Sequence, residues 1–134
     1  MLKIYTISSC ASCKKAKEWL ILHNIEFKEV DLRKSKLTIE EFKHILSLTK
    51  VGTEELFSNK NVSYKRFIQK QNINLLTIKE LFTEVQKHQG MLKRPIIVNE
   101  MNLQIGYNEE DIRKFLPREV RRLEMQKLYS RDSR

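Results

Sequence analysis

Cys10 and Cys13 are the groups in this chain best suited to redox chemistry. They are its only two cysteines, and they lie three positions apart in the stretch "SCASCKKAKEWL", directly after a short apolar run. A thiolate attacks other sulfur atoms and peroxides, and a second thiol nearby can resolve the oxidised sulfur as a disulfide. The pair therefore predicts a reversible thiol–disulfide switch.

A helix predicted to begin at Ala11 places both cysteines at its N-terminus. Free backbone N–H groups there, together with the ammonium groups of Lys14 and Lys15, stabilise negative charge. We therefore expect a lowered pKa at Cys10 or Cys13, either of which could act as the sensing sulfur.

Other uses of these residues stay open. The cysteines could be two packed, unreactive thiols. A metal site is less well supported, because zinc usually takes four ligands, there is no second C-x-x-C, and the three histidines are far apart in sequence. We expect neither a metal nor a cofactor. Arg94, directly before Pro95, could approach the helix N-terminus and favour a thiolate, or it could simply be solvated.

The composition describes a basic protein of one domain. Its 134 residues can bury a core without disulfide staples, and no window approaches the roughly 18 apolar residues of a membrane span. The N-terminus does not resemble a secretory signal, so we expect a cytoplasmic protein without a membrane partner, in which a disulfide is transient. The net charge of +9 favours contact with nucleic acid or an acidic protein face.

The apolar patterns predict a small α/β sheet. "LKIYTI" and "IEFKEVDL" read as strands on either side of the first helix, which implies a right-handed parallel crossover. Later, "RPIIVN" and "LQIGY" read as strands joined by a short, antiparallel connection. Asn108 is predicted to cap a helix through Leu116, and the basic tail after Pro117 is predicted to be helical for about three turns.

The middle of the chain is predicted to be helical. Thr38 and Glu41 have capping-box spacing at the start of a helix that runs to about Leu48. Gly52 suits a helix C-terminal cap and Thr53 the cap of the next short helix. "VSYKRFIQKQ" and "TIKELFTEVQKH" follow as further helices. We therefore predict a discontinuous core of residues 1–34 and 91–134, interrupted by a helical subdomain of residues 35–90.

The helical block carries a stretch of unbalanced positive charge. Between residues 56 and 79 there is no acidic residue, while five basic ones are present: Lys60, Lys65, Arg66, Lys70 and Lys79. Such a surface can contact phosphates, although a solvated basic face is an equally good interpretation. No element resembles one that reads bases, so DNA recognition by this chain alone is not expected.

Four segments carry a resemblance to a known family: "YTISSCASCKKAKEWL", "ILSLTKVGTEEL", "MLKRPIIVNE" and "LQIGYNEEDIRKFLPREVR". They occur in order along nearly the entire chain. On them the sequence resembles the Spx regulators of low-GC Gram-positive bacteria, a branch of the arsenate reductase-like proteins. The resemblance implies an α/β, thioredoxin-like core of a small mixed sheet with flanking helices.

The resemblance also implies a function. It suggests a redox-sensing, non-enzymatic transcriptional regulator that binds the C-terminal domain of the RNA polymerase α subunit. By the same resemblance, Cys10 and Cys13 form the disulfide switch, Gly52 contacts polymerase and Arg94 supports the oxidised form.

Two further partners are implied. Promoter DNA is expected only in complex with polymerase, with Lys60, Lys65 and Arg66 as possible phosphate contacts; family members can carry arginine where this chain has Lys60. The ClpXP protease and an adaptor are possible partners, although members degraded by it can end in a small apolar tail and this chain ends "SRDSR".

An arsenate reductase or glutaredoxin-like thiol oxidoreductase is the alternative. Reductases of this fold resemble "C-G-T-S-R-N" from the nucleophile onward, whereas Cys10 is followed by "ASCKKA", without that glycine or arginine. A second cysteine where the enzymes have serine favours a switch over turnover.

Overall fold

The computed structural model describes residues 1–7 and 10–132, with the side chains of residues 129–132 left out. The last two residues of the "SRDSR" tail lie outside the described part. The elements are β1 (Leu2–Thr6), α1 (Ala11–Leu22), β2 (Phe27–Asp31), α2 (Ile39–Ser47), α3 (Val62–Lys70), α4 (Ile78–Lys87), β3 (Ile96–Val98), β4 (Leu103–Ile105) and α5 (Arg118–Asp132). None of the described helices combines the length and apolar character needed to cross a membrane.

The four strands form one mixed sheet in the order β2-β1-β3-β4. β1 pairs parallel with β2, Leu2 lying opposite Phe27, and β3 runs antiparallel to both of its neighbours. The parallel crossover through α1 and the later antiparallel pair are both confirmed, and with them the α/β class. Branched and aromatic side chains dominate the two central strands, as buried strands require.

Side chains of β1 alternate between the two faces of the sheet, so they belong to two hydrophobic clusters, one on each face. Ile4 packs with Ala16 and Leu20 of α1 on one face. On the other face, Tyr5 joins a cluster that includes Phe42, from α2, and side chains from the following helices. The helical segment therefore shares its core with the sheet, and its description as a separate subdomain of residues 35–90 stays a prediction.

The capping box at the start of α2 is confirmed. The Thr38 hydroxyl accepts the Glu41 N–H at 3.1 Å, and the Glu41 carboxylate accepts the Thr38 N–H at 3.0 Å. The prediction for Gly52 is wrong, because α2 already ends at the cap residue Leu48. Gly52, at φ +108°, instead precedes a 3₁₀ turn, Thr53–Leu56, which no side chain caps.

The C-terminal segment differs from the prediction in two respects. Asn108 does hold the local backbone, since its side chain accepts the N–H groups of Glu110 and Asp111, but the turn that follows, Asp111–Phe115, is 3₁₀ and not α-helical. The helix after Pro117 runs through Asp132, longer than three turns.

Tyr5 and Glu41 join the sheet to the helical segment. The Tyr5 hydroxyl donates a hydrogen bond to the Glu41 carboxylate, and the Lys3 ammonium lies 3.6 Å from the same group. Burial opposes ionisation of Glu41, but the hydrogen bonds from Tyr5 and Thr38 outweigh it and hold its pKa below the usual value. The carboxylate is therefore the acceptor that ties β1 to the start of α2.

We expect Tyr5→Phe to lower the free energy of unfolding by about 1–2 kcal/mol near neutral pH, because it removes a hydrogen bond to a charged, partly buried group. The pKa of Glu41 is lower in the folded than in the unfolded protein. The stability that the Glu41 carboxylate provides is therefore present above pH 4.5, the pKa of the unfolded state, and is lost as the pH falls below that value. The deficit of the variant should therefore shrink in acid. Urea unfolding followed by circular dichroism measures both effects.

The matched control is Tyr107→Phe, since the Tyr107 hydroxyl has no hydrogen bond to a described residue. It should leave stability unchanged. Equal losses in the two variants would show that the Tyr5–Glu41 bond contributes nothing to stability.

Candidate functional site

The two cysteines lie at the junction of β1 and α1, as their spacing predicted. Cys10 is the residue that caps α1, in an extended backbone conformation, and its sulfur accepts the Cys13 N–H at 3.2 Å. Both thiols are free. Cys10 is partly exposed, whereas Cys13 is 2% exposed and lies on the buried face of α1 with Ala16 and Leu20. The sulfur atoms therefore differ sharply in access.

Burial, followed by a hydrogen bond to Cys10, raises the pKa of the Cys13 thiol to about 12. A backbone hydrogen bond at Ile7 and the charge of Arg94 act in the opposite direction without overcoming burial. The expectation that either cysteine has a lowered pKa is therefore wrong for Cys13, because desolvation exceeds the helix N-terminus effect. In the reduced protein Cys13 is a neutral thiol next to the Cys10 sulfur.

Positive charge surrounds the pair on its solvent side. Lys14 and Lys15 are exposed in the first turn of α1, and α1 has no acidic residue in that turn. Arg94 is exposed, precedes a cis peptide bond to Pro95 and is near enough to lower the pKa of Cys13. The cations expected around an oxidisable thiol are thus present at the start of α1. Arg94 is solvated and its charge acts on Cys13, while its support of the oxidised form stays a prediction.

A cleft of about 560 Å³ opens beside Cys10. Its lining comes from the carboxyl ends of β1 and β2 and the first turns of α1: Thr6, Ile7, Cys10, Ala11, Cys13, Lys14, Lys17, Glu29 and Asp31. Glu29 accepts a hydrogen bond from Thr6 at 2.8 Å and pairs with Lys17 at 3.1 Å. The Thr6 hydrogen bond, followed by the charge of Lys17, keeps the pKa of Glu29 low despite some burial.

Sequence reasoning missed Thr6, Glu29 and Asp31 as neighbours of the cysteines. The sequence did contain a signal for Thr6 and Asp31, because each lies near the end of a predicted strand and the carboxyl ends of adjacent parallel strands meet at one edge of a sheet. Thr6 ends β1 and Asp31 ends β2, and α1 begins at that same edge.

Gly52 lies in a different part of the molecule. A methyl group added at Gly52 would meet nothing within 4 Å, and neighbouring Val51 is 76% exposed. The nearby side chains of Lys50 and Glu55 line a second cleft of about 250 Å³, together with Lys114 from the C-terminal segment. The two clefts share no lining residue, so the structure does not bring Gly52 together with the cysteines.

Lys60, Lys65 and Arg66 are all exposed, while Tyr64 and Phe67 of α3 are buried. The basic groups therefore line the solvent side of the helical segment. Across the described residues, no cluster of three His, Cys, Asp or Glu side chains has the geometry to hold a metal ion.

The sequence profile of the ArsC family matches residues 5–115. The chain is 45% identical over 125 residues to a protein of Lactiplantibacillus plantarum named global transcriptional regulator Spx, covering 93% of each chain. It is 46% identical over 127 residues to the protein of that name in Enterococcus faecalis, again covering 93% of each.

Solved structures agree with this assignment. An ArsC family related protein from Bacteroides fragilis superposes with a TM-score of 0.71 at 26% identity, over 85% of this chain and 96% of that one. A possible arsenate reductase from Streptococcus mutans superposes with a TM-score of 0.69 at 24% identity. The superposition covers 84% of this chain and 97% of that one, which shows a common fold. The predicted arsenate reductase-like, thioredoxin-like fold is confirmed, and the chain belongs to the Spx family of transcriptional regulators.

Proposed function

We propose that this protein regulates transcription by binding the C-terminal domain of the RNA polymerase α subunit, under control of a Cys10–Cys13 thiol–disulfide switch. Membership of the Spx family supports a role in transcription. The observation that carries the redox part is the cysteine pair itself: an accessible sulfur at a helix N-terminus with a buried thiol hydrogen-bonded to it.

Cys10 is the sulfur that reacts first in this proposal. Its thiolate attacks a peroxide oxygen, so that an S–O bond forms, the O–O bond breaks and hydroxide leaves, giving a sulfenic acid. Cys13 then gives up its proton and attacks the Cys10 sulfur, and the departing oxygen leaves as water. Two electrons pass from the thiols to the peroxide, and the product is the Cys10–Cys13 disulfide.

Arg94 supports this chemistry through its charge. As Cys13 loses its proton, a thiolate develops in a desolvated position, and the nearby guanidinium lowers the pKa of that thiol. The disulfide itself is uncharged, so in this proposal Arg94 favours the oxidised form by promoting its formation, through stabilisation of the Cys13 thiolate that attacks Cys10.

The surface around Gly52 is the proposed contact for the α C-terminal domain. Its open space and the exposed Val51 leave room for a partner to approach closely, and the cleft next to it presents charges of both signs. Promoter DNA would be reached only once polymerase is bound, through the exposed basic groups Lys60, Lys65 and Arg66. Control by the ClpXP protease and an adaptor belongs to the same proposal.

The competing activity is arsenate reduction, because the fold is shared with a possible arsenate reductase. The first turn of α1, directly after Cys10, lacks the glycine and arginine of the reductase pattern, so we propose no enzymatic turnover. Arsenate-dependent oxidation of glutathione in the presence of glutaredoxin tests this directly, and turnover would contradict a purely regulatory role.

The deciding experiment measures the affinity of the reduced and the oxidised protein for the purified α C-terminal domain by calorimetry. Mass spectrometry verifies the Cys10–Cys13 bond in the oxidised sample. We expect measurable binding, and a change with oxidation would show that the disulfide is coupled to the interface. Cys13→Ala, which cannot form the bond, should bind equally before and after oxidant. Absence of binding in both states would refute the polymerase proposal.

A further inference from the structure

β2 is an edge strand whose outer side has no neighbour in the described part of the chain. The Leu32 N–H, just beyond β2, donates to the Thr6 carbonyl at 2.9 Å. Because backbone groups alternate in direction along a strand, Lys28 and Val30 face β1, and Phe27, Glu29 and Asp31 face outward. The outward N–H groups have no backbone acceptor among the described residues.

Two clefts flank this edge, one on each face of the sheet, and Glu29 and Asp31 line both of them. The first is the cleft beside Cys10. The second has a volume of about 630 Å³ and contains a third carboxylate, Glu41, and four lysines: Lys3, Lys28, Lys34 and Lys36. Glu29 and Asp31 already pair with Lys17 and Arg33. An extended chain laid along β2 would therefore point alternate side chains into the two clefts.

Charge distinguishes the lysine cleft. Lys3 already pairs with Glu41, whereas Lys28, Lys34 and Lys36 are exposed and make no ion pair with a described carboxylate. The opposite cleft offers the apolar groups of Ile7 and Ala11 next to Cys10. The ligand that complements both is a strand with acidic side chains at every second position and small apolar ones between them.

We propose that the outer edge of β2 binds an extended acidic segment of another protein, which adds a fifth strand to the sheet. Main-chain hydrogen bonds to the outward groups of Phe27 and Glu29 supply the pairing. The lysines of the second cleft select acidic side chains, and the first cleft accepts small ones. The edge lies away from the Gly52 surface, so this interaction does not depend on α binding.

The first test uses a fluorescein-labelled peptide of seven residues in which glutamate alternates with valine. We expect anisotropy to report saturable binding that weakens with salt, as attraction to lysines requires. A control peptide of the same composition, with its glutamates grouped at one end, should bind at least about fivefold more weakly, since strand addition requires alternation. Equal binding of both peptides would overturn the proposal and leave a non-specific basic patch.

The second test separates backbone pairing from charge. Glu29→Pro removes an outward N–H while leaving the ladder to β1 intact, which is the position at which an edge strand tolerates proline. Glu29→Ala loses the same carboxylate but keeps the N–H. We expect the proline variant to bind the alternating peptide at least about fivefold more weakly than the alanine variant.

Circular dichroism establishes that both variants are folded. If the proline variant is unfolded, amide hydrogen exchange on the unmodified protein tests backbone pairing instead. The bound peptide should slow exchange at the N–H groups of Phe27 and Glu29. Equal affinity of two folded variants, or unchanged exchange at the edge, would show that the peptide does not pair with the backbone of β2 and would overturn the proposal.

Discussion

Gly52→Arg is expected to weaken binding to the α C-terminal domain by at least about tenfold, which corresponds to roughly 1.4 kcal/mol. The side chain would project from an exposed turn into space that a closely fitting partner must occupy. It also adds a cation two positions along the chain from Lys50, which lines a cleft together with Lys93 and Lys114. Titration calorimetry of the reduced proteins gives the two affinities.

Backbone strain has to be separated from obstruction, because Gly52 has φ +108°, a conformation that residues with a side chain adopt at a cost. Gly52→Ala carries the same strain with almost no bulk. We expect it to retain affinity within about threefold of the original protein, since a methyl group there meets nothing. If alanine and arginine weaken binding equally, the turn conformation matters and the surface is not the contact.

Iodoacetamide is expected to alkylate Cys10 at least about a hundred times faster than Cys13 near neutral pH. With its pKa raised to about 12 by burial, Cys13 is a thiolate in only about one molecule in 10⁵ at pH 7. Its 2% exposure also excludes the reagent. Quenched time points analysed by mass spectrometry of the peptides give both rates.

Unfolding the protein in urea provides the control. The Cys13 thiol then regains an ordinary pKa and both cysteines become fully accessible, so the two rates should converge to within about threefold. Comparable rates in the folded protein would contradict the assignment of Cys10 as the first sulfur to react.

The raised pKa of Cys13 also predicts that folding becomes less favourable as the pH rises from 9.0, the unfolded pKa of the thiol, towards 12.

The parts of the fold that local signals determine could be predicted from the sequence. The four strands, α1 and the Thr38 capping box depend on residues within a few positions of each other, and all were confirmed. Gly52 shows the limit: a glycine between two helices fits a cap, but the path of the chain after Leu48 decides its role.

The candidate site shows the same division. The cysteine pair and the cations of α1 could be predicted from the sequence. The effect of burial on the pKa of Cys13 could not. Its spacing from Ala16 and Leu20 indicated a buried face, yet the depth of burial depends on the sheet behind it. The Tyr5–Glu41 bond joins residues 36 positions apart and has no local signal.

The sheet order has a consequence for synthesis of the protein. β1 is a central strand, but its antiparallel partner Ile96–Val98 is synthesised much later than β1 itself. Until then β1 has no partner along the edge that β3 occupies in the folded protein. An interrupted chain is thus left with an open, apolar strand edge, the kind of surface that chaperones and proteases recognise.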